Sequence, residues 1–474
     1  MFRAGRCLAF AGLWACIFVA VGPIAAAKAQ EPAIENVPDL GGVPAADFAL
    51  RFHAFQPDKP ATEAQRPVED TRGADSFFHE HCFDKWLTGD WGGYRTKWEE
   101  KGIKFSFILT AGYFQNFRGG IETHNANAFS GDWRMNLLLD LDELGLIPGA
   151  FFFIRGKSSW NNGITDNIGA LYSEQFVYGS SGDEEFFIDK WWYGHRLWDD
   201  RLEFRVGKLL TLADLFDIPA YAKVPWDQFS NAALNLNPTV PHRKAPGFYL
   251  KINFCDWARL KMGAMDADQT DATLPYDVER AYHGPANYIG LWELVLSPKF
   301  EGPKGRLPGD YAFGLWYDGR SKRIFRNELG GLRAPRFRGD DTGFYLAFDQ
   351  MVLKENEDPA DKQGLGAFAR YGFAHPETNR VEQFWSIGAQ YQGLFEGRDS
   401  DVLAFGVGQS IMSKTFRHNI DSRADRETVY ELYYAYQLTC ACIITPDLQI
   451  ITNPGGGKDA RDSIVAGVRV RLAF

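Results

Sequence analysis

From residue 103 to the C-terminus, apolar and polar side chains alternate with a period of two, and this pattern restricts the fold more than any other feature. It is clearest in residues 132–142, where Trp, Met and Leu hold the odd positions and Asp, Arg or Asn hold most of the even ones. It returns in residues 464–474. Such a period is typical of β-strands with one apolar and one polar face. The sequence therefore predicts an all-β fold from residue 103 onward.

The number and length of the alternating segments distinguish a membrane barrel from a soluble sheet. About sixteen segments can be marked, most of roughly 9–13 residues, whereas strands of soluble proteins average about 5–6. An even number is usual in single-chain bacterial barrels, whose closure leaves no unpaired backbone edge in lipid. We predict a 16-stranded antiparallel transmembrane β-barrel at residues 103–474. The segments begin near residues 103, 131, 150, 186, 201, 246, 257, 287, 309, 342, 364, 383, 401, 428, 443 and 463.

The N-terminus has the features of an export signal. Arg3 and Arg6 precede an apolar run at residues 7–24, and Ala27-Lys28-Ala29 has the small-x-small pattern of a cleavage site. We predict a signal peptide at residues 1–29, cleaved near Ala29; an uncleaved membrane anchor is the alternative. After residue 30 no stretch approaches the roughly 18 apolar residues of a spanning helix. Export followed by barrel insertion predicts the outer membrane of a Gram-negative bacterium, with outer-membrane lipid around the wall.

Two segments precede the barrel. Residues 30–84 are rich in Pro, Ala and charge, and we predict a partly disordered periplasmic linker. Residues 85–102 are predicted to form a short N-terminal periplasmic amphipathic helix, with Asp90 as the N-cap and Gly102 as the C-terminal stop. On this helix Trp91, Tyr94 and Trp98 share one face.

Connection lengths predict the orientation of the barrel. With a periplasmic N-terminus the external connections should be the longer ones. Residues 116–130, 161–185 and 212–245 are long, whereas 143–149 and 196–200 are short. The 212–245 segment is too long for a simple turn and carries apolar anchors, so we predict that it folds inward and narrows the channel; an external lid is the alternative.

Net charge and cysteine content exclude two classes of partner. The formal charge is −10, and residues 1–29 carry three bases and no acid, so the rest of the chain has −10 − 3 = −13. This argues against nucleic acid, which needs a basic face. The cysteines outside the signal are Cys82, Cys255, Cys440 and Cys442, which favour disulfides; no paired CxxC motif supports a metal site, and we predict no cofactor. Cys82 is predicted to pair with Cys255 or with one of the other two.

Side chains at the polar positions of a barrel face its lumen. There the bases outnumber the acids, which predicts a net basic lumen that prefers anions or neutral polar solutes to cations. Each charge also has a simpler explanation, which is solvation of a water-filled wall. The candidate lumen and constriction residues are Arg134, Asp140, Arg155, Lys157, Glu203, Arg205, Lys251, Arg259, Lys261, Glu293, Trp316, Arg370, Glu431 and Arg469.

Two groups of motifs in the chain are typical of one protein family. The first is Leu87-Thr88-Gly89-Asp90-Trp91-Gly92-Gly93, followed by Arg95 and Gly102-Ile103. The second is Pro446-Asp447-Leu448-Gln449 with Asn453-Pro454-Gly455-Gly456. These motifs resemble those of the OprB-type carbohydrate-selective porins. The resemblance covers roughly residues 85–474 and implies a sixteen-stranded barrel that is not an enzyme, with a charge-lined constriction favouring glucose-like sugars. Lys208 and Lys190 depart from the family pattern, which more often has Arg and an acid there.

Sugar passage needs two kinds of group in a pore. Sugar C–H faces stack on aromatic rings, and hydroxyls exchange hydrogen bonds with planar groups such as Arg and Glu. The aromatic candidates are Trp160, Trp191, Trp316 and Phe368, for which packing in the wall or girdle is an equal alternative. Phe474, a terminal aromatic residue on an alternating strand, is the usual signal for the barrel-assembly machinery. Trimers are common among porins, but the sequence shows no interface.

Other functions stay open at this stage. A general or anion-preferring porin fits the same barrel. An outer-membrane hydrolase would need a nucleophile and a base on the wall, but no G-x-S-x-G motif is present and the His residues are scattered. A barrel filled by side chains, without conduction, is a further alternative.

Overall fold

The computed structural model describes residues 86–474 apart from 162, 176–183, 213, 224–225, 268–286, 327–333 and 359–360. The predicted signal peptide and linker lie outside these residues, as does Cys82. Cys255 and Cys440 each form a disulfide bond, whereas Cys442 keeps a free thiol.

Sixteen antiparallel strands form a closed barrel, in which each strand pairs with its neighbours along the chain and the first strand pairs with the last. All sixteen predicted strands are present, and each begins within four residues of its predicted start. The barrel strands are β1 (Ile103–Gly120), β2 (Asn127–Asp140), β3 (Ala150–Trp160), β4 (Glu184–Leu197), β5 (Leu202–Leu210), β6 (Lys244–Cys255), β7 (Ala258–Asp266), β8 (Tyr288–Leu296), β11 (Gly309–Asp318), β14 (Asp341–Lys354), β15 (Gly364–Ala374), β16 (Val381–Gln392), β17 (Val402–Met412), β18 (Arg426–Thr439), β19 (Cys442–Thr452) and β20 (Arg461–Ala473).

Two small sheets lie in connections outside the barrel. One pairs β9 (Phe300–Gly302) with β10 (Gly305–Leu307), and the other pairs β12 (Lys322–Arg323) with β13 (Phe337–Arg338). Neither was predicted, because strands of two or three residues are too short to show a period.

Alternation along the strands separates two faces of the wall. On β1, Thr110 and Phe114 are buried toward the lumen, whereas Tyr113 between them is exposed on the outside. Exposed apolar residues recur at the outward positions of the other strands, as lipid contact requires. The two-residue alternation therefore arises because one face of each strand contacts lipid and the other faces protein or water.

The helices are short. A 3-10 turn (Trp91–Gly93) leads into α1 (Tyr94–Glu99), within the stretch where a helix was predicted. Asp90 accepts hydrogen bonds from the backbone N–H and the hydroxyl of Thr96, at 2.8 and 2.9 Å. The remaining helices are α2 (Thr165–Ile168), α3 (Ala232–Asn235), α4 (Lys414–Asn419) and a 3-10 turn (Pro454–Gly456). Among the described residues, no helix has the length and apolar character needed to cross a bilayer.

One predicted connection is wrong. Residues 116–130 were expected to form a long loop, but β1 continues to Gly120 and β2 begins at Asn127. Both strands keep pairing there: Gln115 lies opposite Asn127, and Gly120 lies opposite Arg461 of β20. Backbone pairing therefore extends through a stretch whose side chains show no clear alternation.

Candidate pore constriction

The connection between β5 and β6 folds into the barrel, and we call residues 211–243 the inner segment. Its backbone N–H groups bond to carboxylates on the wall: Asp217 to Glu293 at 2.7 Å, and Ala220 to Asp349 at 3.0 Å. On another part of the wall the Asn231 N–H bonds to Glu431 at 2.9 Å. The prediction that this segment folds inward is confirmed, and the external lid is wrong.

Two arginines on the wall hold the carbonyl groups of the inner segment. Arg370 on β15 pairs with Asp217 at 2.9 Å and donates to the carbonyl oxygens of Leu234 and Asn235 at 2.7 and 3.0 Å. Arg469 on β20 donates to the Gln228 carbonyl at 2.7 Å. Buried backbone groups without partners are costly, so these charged side chains let irregular backbone cross the lumen.

The connection between β3 and β4 also enters the lumen, and the sequence did not predict this. In residues 163–175 the Tyr172 hydroxyl lies 2.7 Å from Ser410, and the Leu171 N–H donates to Glu427 at 2.7 Å. The Ala232 N–H of the inner segment donates to the Ser173 carbonyl at 2.9 Å, so the two segments touch. The spacing of Ile164, Ile168 and Tyr172, each four residues apart and buried, is the signal that would have found it.

A β-bulge places two consecutive charges inside the barrel. Between β3 and β4 the register shifts, so that Arg155 lies opposite Lys190 and Gly156 lies opposite Ile188, leaving Asp189 as the extra residue. A bulge breaks the two-residue alternation, so both Asp189 and Lys190 are buried. Strict alternation would assign only one of them to the lumen.

Acids that the sequence reasoning missed neutralise much of the predicted basic charge. Asp189 pairs with Lys244 at 2.6 Å and with Arg155 at 3.5 Å, and Lys190 pairs with Asp214 of the inner segment. Most of these acids lie on the inner segment or at the bulge, where no strand period operates. The prediction of a net basic lumen did not count these acids.

Most of the predicted lumen residues are buried, and a solute in the pore has no access to them. Arg134 is sandwiched between Asp132 and the Trp226 ring, with its guanidinium carbon 4.4 Å from the ring centroid. Trp316 packs under Lys322. The same burial applies to Arg155, Lys157, Glu203, Lys261, Glu293, Arg370, Glu431 and Arg469.

Asp140 has a local role at a turn. Its carboxylate accepts the N–H groups of Asp142 and Glu143 at 3.0 and 3.1 Å, which shapes the connection from β2 to β3. Of the aromatic candidates, Trp160 lies at an outward position of β3 against Phe129, whereas Phe368 packs inside against Phe229.

A group of five charged side chains lies on β5, β6, β7 and β11, and four of the five are partly exposed. We call Glu203, Arg205, Lys251, Arg259 and Asp310 the accessible charge cluster. Glu203 joins Arg205 at 2.6 Å and Lys251 at 2.8 Å, and is itself buried beneath them. Arg259 pairs with Asp310 at 2.6 Å. The three cations keep 14–23% of their side-chain surface exposed, so they are the most exposed of the predicted site residues.

An aromatic platform lies beside this cluster. The Arg205 guanidinium carbon is 4.5 Å from the Trp192 ring centroid, and Trp192 stacks on Phe153 with centroids 5.1 Å apart. Stacking holds the planar guanidinium in one orientation. The arrangement combines a fixed planar donor with neighbouring carboxylates, which is the chemistry that binds hydroxyl groups.

Comparison with known proteins agrees with this architecture. The carbohydrate-selective porin, OprB family, matches residues 124–474. Porin B of Pseudomonas aeruginosa is 25% identical over 423 residues, which cover 82% of this chain and 91% of that protein. The putative porin QuiX of Acinetobacter baylyi is 23% identical over 427 residues, covering 82% and 93%.

A solved structure shares the fold. The high-pH structure of Pseudomonas putida OprB superposes with a TM-score of 0.72 at 23% identity, covering 83% of this chain and 99% of that one. The family and the barrel are those of a Gram-negative outer-membrane channel rather than an enzyme. The resemblance seen in the motifs is therefore confirmed, and the chain belongs to the carbohydrate-selective porin, OprB family.

Proposed function

We propose that this chain is an outer-membrane porin through which small, glucose-like carbohydrates diffuse, past a constriction formed by the inner segment and the accessible charge cluster. The observation that carries this proposal is the anchoring of the inner segment across the lumen by Glu293, Arg370 and Glu431. An anchored backbone gives a pore of constant cross-section, which selects solutes by size and by the groups that line it.

The buried and the accessible charges have different roles in this proposal. Arg134, Arg155, Arg370 and Arg469 position the lining, because their side chains are fully enclosed by protein. Arg205, Lys251 and Arg259 contact the solute, since their side chains are the most exposed among the predicted bases. Solute binding must stay weak for release, and a few exposed donors meet that requirement better than a closed pocket.

Single-channel recording in planar bilayers tests the function. We expect discrete conductance steps that glucose and other small sugars block at millimolar concentration, as weak multi-site binding requires. Arg205→Met should weaken the sugar block, whereas Arg306→Met, in an exposed ion pair on the β9–β10 hairpin, should leave it unchanged. Absence of conductance steps, or steps that no sugar affects, would contradict the proposal.

An anion-preferring porin is the second candidate, favoured by one observation. The accessible charge cluster holds three cations against Glu203 and Asp310, so its formal charge is 3 − 2 = +1. Block by organic anions without block by sugars would assign this function instead.

Export and assembly complete the proposal. We propose that residues 1–29 are removed near Ala29, and that the barrel-assembly machinery recognises β20 with Phe474. A homotrimer in outer-membrane lipid is the proposed assembly. Native mass spectrometry of detergent-extracted protein would report the N-terminus and the subunit number together; an intact residue 1–29 segment or a monomer would contradict the corresponding part.

A further inference from the structure

The helix α1 and the 3-10 turn before it expose aromatic side chains. Trp91 is 37% exposed, Tyr94 is 61% exposed and Trp98 is 45% exposed, and Leu87 just before the helix is 49% exposed. A six-residue helix in water would be expected to bury such side chains against the nearest protein surface. Here they remain on the outside, which calls for a partner.

The exposed aromatic face is continuous with the outer wall of the barrel. Trp98 contacts Trp91 with ring centroids 5.9 Å apart, and Trp91 contacts Phe105 of β1 at 6.3 Å. Phe105 holds an outward position, because its neighbour Ser106 is buried toward the lumen. The aromatic surface of α1 therefore borders the surface that faces lipid.

Further aromatic contacts extend from Phe105 along the outer face of the barrel. Phe107, two residues after Phe105, packs against Phe474 at 5.1 Å and against Trp133 at 5.8 Å. Trp133 in turn stacks on Phe186 of β4 at 5.5 Å. The rings form one band from the helix onto the membrane-spanning strands.

Several bonds hold the helix in this position. The Arg95 guanidinium carbon lies 4.3 Å from the ring centroids of both Trp86 and Trp91. The Leu87 N–H donates to the Ala473 carbonyl at 2.8 Å, which ties the segment to the end of β20. Gly102 makes the sharp turn into β1 with a φ of +81°. The orientation of the aromatic face is thus set by the protein before any partner arrives.

We propose that α1 and the 3-10 turn before it form an interfacial anchor, whose Trp91, Tyr94 and Trp98 insert into the headgroup region of phospholipids in the periplasmic leaflet. Trp and Tyr rings favour that region, because one edge is apolar and the other bonds to water or headgroups. The Lys97 ammonium, 5.5 Å from the Tyr94 ring centroid, supplies a cation for the phosphate layer. Continuity with the lipid-facing wall selects lipid over a soluble protein as the partner.

Photo-crosslinking of the full chain in vesicles tests this proposal. A benzoylphenylalanine group at Tyr94 is compared with the same group at Ile387, exposed on the outer face of β16, and at Glu357, exposed in the connection from β14 to β15. The vesicles contain tritiated phosphatidylethanolamine and phosphatidylglycerol. We expect lipid to be captured at Tyr94 to an extent comparable with Ile387 and several-fold above Glu357.

Two results would overturn the anchor. Capture at Tyr94 no greater than at Glu357 would place the face in water, and capture of a second copy of the chain would make it a subunit contact. Folding of each variant is checked by the heat-dependent shift of gel mobility. If the Tyr94 variant does not fold, the same comparison is made with the group at Leu87.

Discussion

Arg370 on β15 donates its Nε–H to the Asp217 carboxylate at 2.9 Å, and both side chains are completely buried between the wall and the inner segment. The same guanidinium bonds to three carbonyl oxygens of that segment, those of Ala222, Leu234 and Asn235. One wall residue thus bonds to four points of a connection in which the one-turn α3 is the only helix among the described residues. The pore is narrowed by a loop, and the position of the loop is set by the wall.

Arg370→Met should therefore loosen the constriction. Removing one partner of a buried pair leaves Asp217 charged and uncompensated, at a cost of about 3–5 kcal/mol, while the barrel wall keeps its backbone ladder. We expect larger and noisier single-channel currents and weaker size selection in liposome swelling with sugars of increasing size. Arg398→Met is the matched control, since Arg398 pairs with Asp401 in the connection between β16 and β17. Unchanged conductance in Arg370→Met would show that the inner segment stays in place without this anchor.

Glu203→Gln should shift the ion preference of the channel toward anions. Glu203 neutralises Arg205 and Lys251, at 2.6 and 2.8 Å, so its removal adds a positive charge to the accessible charge cluster. The reversal potential in a KCl gradient should move toward the chloride value by several millivolts, as expected for one charge at a narrow pore. Lys251→Met should move it the other way. Glu301→Gln, the same change in an exposed pair, is the control, and an equal shift there would refute a local effect.

Gly102→Ala should destabilise the barrel more than Gly145→Ala. Both glycines have positive φ, +81° and +71°, so each substitution costs about 1–2 kcal/mol of backbone strain. At Gly102 a Cβ would also lie 2.7 Å from the Asp140 carbonyl, whereas at Gly145 it would meet nothing within 4 Å. In urea unfolding from lipid vesicles, we expect Gly102→Ala to lower the free energy of unfolding by about 1–3 kcal/mol more than Gly145→Ala does. Equal losses of unfolding free energy in the two variants would mean that the turn from α1 to β1 accommodates the added Cβ without strain.

We expect a lower pH to reduce the part of the open-channel current noise that comes from the segment at 163–175. Burial raises the pKa of the Glu174 carboxyl, although it accepts hydrogen bonds from Ile164 and Thr165. A folded-state pKa above the unfolded value favours the inserted segment at low pH. That stabilisation is lost as the pH rises through the folded-state pKa.

The open-channel noise measures this effect. We expect less noise at about pH 5 than at about pH 7.5 in the wild type, and a smaller difference in Glu174→Gln, which cannot ionise. Noise that falls equally in both proteins would assign the effect to other groups.

The sequence predicted the wall well and the lumen poorly. Every barrel strand was found, because lipid outside and polar surroundings inside impose a repeat that each strand shows by itself. The exceptions are local: the bulge at Asp189 breaks the parity, and β1 pairs to Gly120 where its side chains do not alternate. Candidate bases such as Arg370 and Arg469 were correctly assigned to inward positions, but their partners lie on the inner segment.

Alternation, strand number and the N-terminal motif in the sequence thus determined the barrel, its family and the inward direction of most lumen charges, since each depends on neighbours along the chain. Only the tertiary structure decided which charges a solute can reach, and where the aromatic face of α1 lies. Those depend on contacts between residues far apart in sequence, such as Asp217 with Arg370 or Trp91 with Phe105. Burial and pairing are set by what folds on top of a side chain, and no local pattern records that.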